Sequence, residues 1–172
     1  MTNPVLVLGL GNLLLGDDAV GLFSLEVLKA EPADPSVEFV DGGTQGIALV
    51  GLLADRRSVL ILDAIGLGAE PGTVHVLRGR DLAKLRARRA TNAHEGNGLS
   101  LIEMARLLGY YPQELAVVGV EPAHVKTGIG LSPAVEAASR EALWEARKLL
   151  EEFSDPSLKE PTYVSGCAWE NR

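Results

Sequence analysis

Apolar residues along this chain come in two rhythms. A short apolar strand is expected at 37–40 (VEFV), and unbroken runs of β-branched and leucine side chains lead from Val5 into the glycines Gly9 and Gly11 and recur at 58–62 (SVLIL) and at 115–120 (LAVVGV). Runs of this length, with no polar residue to mark a solvated face, predict strands buried on both sides of a sheet. Between them, apolar positions fall three and four apart, which marks a helix with one buried stripe. Val20, Phe23, Val27 and Ala30 predict a helix over 19–30, ended by Pro32 and Pro35. A helical stretch is expected at 47–53, and another over 99–108 that stops at a glycine C-cap, Gly109. Ser132 and Pro133 supply an N-cap and a first helical residue for a last helix reaching about Phe153. The alternating segment 73–77 (TVHVL) reads as an edge or half-exposed strand and carries His75.

Strand and helix therefore alternate along most of the chain. That order predicts an α/β fold, a three-layer sandwich in which a mainly parallel, twisted sheet of about five strands has helices on both faces. Residues 1–153 are expected to form a single domain, and 154–172 a C-terminal tail that includes Trp169. In such folds ligands bind beyond the carboxyl ends of the strands. Polar residues at those ends are the first candidates for chemistry.

Three of the apolar runs end in acid: Asp17 and Asp18 after the first, Asp41 after the second, Asp63 after the third. Parallel strands bring these carboxylates to one edge of the sheet, where mutual repulsion calls for a cation or a shifted protonation state. His94, in the polar loop 91–98, would complete an oxygen and nitrogen ligand set with open positions. Each residue also has a simpler role open to it. One of the adjacent pair, Asp17 by preference, is expected to cap the following helix. Asp41 is able to accept backbone hydrogen bonds within its own glycine-rich turn, DGGTQG. A loop histidine such as His94 is more often a solvated bystander than a ligand. Asp63 is harder to explain away, since carboxylates next to a buried run are rarely left without partners.

A dinucleotide-binding fold is the rival reading of the opening stretch, because Gly9 and Gly11 match the first two positions of G-x-G-x-x-G and Asp41 imitates the acid that binds ribose. Leu14 stands at the third glycine position, and Asp17 with Asp18 places negative charge where a pyrophosphate needs positive potential. Nucleophile elbows and H-E-x-x-H pairs are absent from the sequence, with Gly98 where the second histidine would stand.

Composition narrows the partners. A net charge of −7 over 172 residues argues against binding nucleic acid or anionic lipid. No apolar run approaches the roughly 20 residues that span a bilayer, and the N-terminus lacks the layout of a secretion signal, so a cytoplasmic protein is expected. Cys167, the single cysteine, excludes an internal disulfide and any multi-cysteine metal site.

Taken together, GLGNLLLGDDAVG at 9–21, DGGTQG at 41–46, LDA at 62–64, the His94 loop and TGIGLSPAVEAA at 127–138 resemble the hydrogenase maturation proteases. The resemblance spans roughly residues 4–152 and rests on five motifs in the same order. It implies an endopeptidase, a hydrolase that removes the C-terminal extension of a nickel–iron hydrogenase large-subunit precursor after nickel insertion. By the same resemblance Asp18, Asp63 and His94 are the nickel ligands, with Asp18 and Asp63 also at the catalytic centre and Asp41 in a turn implicated in activity. The nickel would arrive on the precursor, no organic cofactor is expected, and the protein is expected to act as a monomer. Ala19 departs from the glycine found in many relatives, and the tail matches nothing in the pattern. A nickel-binding chaperone or docking module of the same fold, without protease activity, is the alternative.

Overall fold

A computed structural model describes residues 4–32, 34–89 and 97–155. Five strands, β1 (Val5–Leu10), β2 (Val37–Gly43), β3 (Ser58–Ala64), β4 (Val74–Arg78) and β5 (Glu114–Val120), form one sheet in the order β2-β1-β3-β5-β4. The four strands β2, β1, β3 and β5 run parallel, and β4 joins the far edge antiparallel to β5. The expected α/β sandwich is therefore the observed one, down to the half-exposed edge strand that carries His75.

Side-chain alternation along the strands divides the core into two layers. Val5, Val7, Leu60, Leu62, Ala116 and Val118 face α1 (Val20–Lys29) and α4 (Pro133–Ser154). Their neighbours Leu6, Leu8, Val59, Ile61, Leu115 and Val117 face the opposite layer. That layer is built from the 3-10 helix Gly46–Leu53, α2 (Arg80–Arg89) and α3 (Asn97–Leu108). Both faces of β1 and β3 are thus covered, which is why those strands read as unbroken apolar runs.

Several elements differ from the sequence expectation. α1 turns Leu22, Leu25 and Leu28 into the core and leaves Phe23, Val27 and Ala30 of the expected stripe exposed, because a second set of apolar positions three apart competes for the sheet. β2 runs on through Asp41 to Gly43, since pairing with β1 continues past the apolar residues. The basic stretch 84–89 belongs to a helix, α2, which sequence reading missed because so little of it is apolar; among its described side chains Leu82 is buried in the core and Leu85 packs against it. β3 runs on through Asp63 to Ala64, so this acid lies inside a strand. Gly109, with φ +76°, ends α3 as expected of a C-cap.

Candidate active site

The carboxyl ends of β1, β2 and β3 lie side by side. Asp41 in β2 and Leu62 in β3 are both in register with Gly9 of β1, so Asp41 and Asp63 flank β1 with about 10 Å between their strands. Asp18 enters from a short 3-10 helix, Gly16–Ala19, inserted between β1 and α1. That insertion is tightly packed. Gly11 has φ +134°, and a Cβ there would overlap the carbonyl oxygen of Asp18; a Cβ on Gly21 would overlap the carbonyl oxygens of Leu10 and Leu62. Glycine at both positions is what lets the chain fold back over the strand ends.

Asp63 continues the side-chain parity of Val59 and Ile61 and so faces α3. It is 3 % exposed, and its Oδ2 accepts a hydrogen bond of 3.0 Å from the Gly98 N–H in the first turn of α3. Burial pushes its carboxyl up to about 7, and the negative charge of Asp18 adds to the shift, against hydrogen bonds from the backbone of Gly98 and Ala64. Asp18 is half-buried, and burial also raises its carboxyl above the usual range, opposed by the Asn12 backbone N–H. Two carboxylates that burial discourages from ionising, with the charge of Asp18 acting on Asp63, form a site whose electrostatics suit a divalent cation. Asp41 is exposed and accepts a 2.9 Å bond from the Gly43 N–H in its own turn. His94 lies outside the described residues. Among the described residues no group of three His, Cys, Asp or Glu side chains is placed to hold a metal ion.

Asp17 does not cap α1. Ala19 occupies the N-cap position of that helix and no side chain caps it. Asp17 is instead fully buried on the other side of the chain: its Oδ1 accepts from the Ser132 N–H at 2.6 Å, and its Oδ2 from Ala123 N–H at 2.9 Å, His124 N–H at 3.3 Å and Ser132 Oγ at 2.9 Å. Burial alone would raise this carboxyl, but the bonds from Ser132, Ala123 and His124 outweigh it and hold the group below its ordinary value. Ser132 does stand at the N-cap of α4, with its hydroxyl turned to Asp17 rather than to the helix. Asp17 therefore ties the loop that carries Asp18 to the loop between β5 and α4.

Sequence reading also missed Glu121. It follows the apolar run of β5 as Asp63 ends that of β3, which is the signal that would have found it. Its buried carboxylate accepts from the Leu67 and Gly68 N–H groups and from His75 Nε2 at 3.0 Å. Burial is again outweighed by these bonds, and the carboxyl lies below its ordinary value. Glu121 and His75 thus fasten the turn between β3 and β4 beside the site.

The chain has relatives among known proteins. The family model described as hydrogenase maturation protease matches residues 24–148. The chain is 37% identical over 150 residues to the hydrogenase 2 maturation protease of Escherichia coli (strain K12), covering 86% of this chain and 91% of that protein. The chain belongs to the hydrogenase maturation protease family. It is accordingly a hydrolase of the endopeptidase class. Similarity to a second relative, the hydrogenase expression/formation protein HupD of Rhodobacter capsulatus, is 31% identity over 178 residues, or 94% of this chain and 85% of that one. In three dimensions the chain is similar to the hydrogenase maturating endopeptidase HybD from E. coli, with a TM-score of 0.76, 37% identity, and coverage of 86% and 92%. Membership of this family displaces the dinucleotide-binding alternative.

Proposed function

We propose that this endopeptidase removes the C-terminal extension of a nickel–iron hydrogenase large-subunit precursor once nickel has been inserted. On this reading the metal belongs to the substrate, and Asp18, Asp63 and His94 are the side chains that meet it. The reading is carried by the match to hydrogenase maturation proteases together with Asp63, buried at a strand end beside the negative charge of Asp18. A precursor bearing a divalent cation relieves that repulsion, whereas an immature one does not, so recognition doubles as a test of nickel loading.

The peptide lies across the ends of β1, β2 and β3. Water attacks the scissile carbonyl carbon as its proton passes to Asp41, and as the C–N bond breaks Asp41 returns that proton to the leaving amine. Asp41 suits this role because it is exposed at the same edge and held by the Gly43 N–H. On the same proposal the enzyme acts in the cytoplasm as a monomer. Among the described residues no helix is long and apolar enough to cross a membrane.

Incubation with purified nickel-loaded precursor, followed by intact-mass measurement, tests the proposal. A mass loss at the precursor's C-terminus is expected with the wild-type protein and not with Asp18→Ala or His94→Ala. Complex formation without a cut by the wild-type protein would instead make the chain a docking module. Wild-type rates in both variants would overturn the ligand assignment.

A further inference from the structure

Loops at the site edge expose apolar side chains that the fold has no need to place there. Leu13 and Leu14 lie at the tip of the loop after β1, with Leu14 61 % exposed. Asn12 holds that tip outward: its Oδ1 accepts from the Leu14 N–H at 2.9 Å and its carbonyl from the Leu15 N–H at 3.1 Å. Val125 and Ile129 are exposed in the loop after β5, Ile129 to 86 %. The two loops are joined by a parallel bridge between Leu15 and Gly128, with Gly16 N–H to Gly128 carbonyl at 2.9 Å and Gly128 N–H to Leu14 carbonyl at 3.0 Å. Below the bridge, the buried Asp17 carboxylate locks the same two loops together. The result is a preformed apolar ledge on the segment that carries Asp18. It continues through Gly130 and Leu131 into a groove of about 400 Å³ between α1 and α4, lined by apolar Phe23, Val27 and Leu143 and by polar Ser24, Glu136 and Ser139.

Exposed apolar groups of this size, fixed by backbone hydrogen bonds, are a feature of surfaces that bind another protein. We propose that the ledge formed by Leu13, Leu14, Val125 and Ile129 docks an uncharged, apolar segment of the hydrogenase precursor next to the bond to be cut. This rests on the function proposed above. Two features single out the substrate as occupant. The ledge is continuous with the loop of Asp18, and it lies at the strand ends where a protein substrate must be presented, with exposed Lys126 the charged side chain among its loop residues. A second exposed apolar group, Leu107, Leu108 and Tyr110, lies at the end of α3, away from the site. It provides the control.

The test compares wild type, Leu14→Ser/Ile129→Ser and Leu107→Ser/Leu108→Ser. Purified nickel-loaded precursor is the probe, with binding measured by biolayer interferometry and cutting by intact mass. The ledge variant is expected to weaken binding and raise KM by about tenfold or more, with kcat at saturating precursor and Tm preserved; the control is expected to match wild type. Equal binding and KM in the ledge variant, or an equal loss in the control, would overturn the ledge. Binding by wild type without cutting, lost in the ledge variant, would overturn the protease reading and leave the docking surface standing. Neither binding nor cutting by wild type would overturn both.

Discussion

Asp17 and Asp63 are both buried carboxylates at the same edge of one sheet, and they behave in opposite ways. Asp17 receives three backbone N–H groups and a hydroxyl, and its carboxyl falls below the ordinary value despite burial. Asp63 receives the Gly98 N–H and a weaker contribution from Ala64, faces the charge of Asp18, and rises to about 7. Burial is common to both; the supply of donors differs. A carboxylate saturated with donors is a structural tie, whereas one left short of them is available to a cation, to a proton or to substrate. Glu121, bonded to Leu67, Gly68 and His75, falls on the side of Asp17.

The contrast is broken most sharply at the site. Asp18→Ala is expected to lower the rate of precursor processing roughly a thousandfold, since the substrate's metal loses a ligand, while the urea midpoint stays near wild type. Asp63→Asn should likewise abolish processing yet keep or raise stability, because an amide of the same shape removes a charge that is costly to bury. Loss of folding in Asp63→Asn would show that Asp63 is a tie like Asp17.

The pH dependence follows from the same difference. Between its unfolded value of 3.8 and its folded value of about 7, Asp63 holds a proton in the native state that it has lost in the unfolded state. Stability is therefore greatest on this account below about 4 and declines as pH rises toward 7, by on the order of 4 kcal/mol. Asp17 has the opposite sign: with its folded value depressed, its contribution is present above 3.8 and is lost as pH falls through the folded value. Urea midpoints measured across pH 4 to 7 in wild type and Asp63→Asn isolate the first effect, which the variant should lack.

Asp17→Ala strands the N–H groups of Ala123, His124 and Ser132 and is expected to cost about 3 kcal/mol, read from chemical denaturation. Processing should fall as well, because the loop carrying Asp18 loses its anchor; an unchanged midpoint would contradict the tie. The smallest effect belongs to Glu121→Gln, at about 1 kcal/mol, since the amide keeps one acceptor for the turn at Leu67 and Gly68. Its processing rate should stay within a fewfold of wild type.

Much of this was legible in the chain because it depends on local pattern. Unbroken apolar runs require cover on both faces, and alternation of such runs with helical stripes leads to a parallel sheet, whose strand ends gather Asp18, Asp41 and Asp63 at one edge. Gly9 and Gly11 mark the turn at that edge for the same local reason, whereas the need for glycine at Gly21 comes from the Leu62 carbonyl of β3 and shows only in the fold. The fate of each acid was not local. Asp17 and Asp18 are adjacent in sequence, yet the 3-10 helix sends one toward α4 and the other toward Asp63. The donors that decide the first case, Ala123, His124 and Ser132, lie more than a hundred residues away, where no helix or strand period links them to Asp17. Glu121 is a similar case, since its donors come from a turn and an edge strand that only sheet pairing brings together.

The sequence by itself determined the sheet, its layers and the edge at which acids collect, because burial patterns are written at periods of two and three to four residues. Only the tertiary structure decided which of those acids are satisfied and which are left wanting a partner. Hydrogen-bond donors act over about 3 Å, and folding alone brings residues so far apart in the chain within that distance.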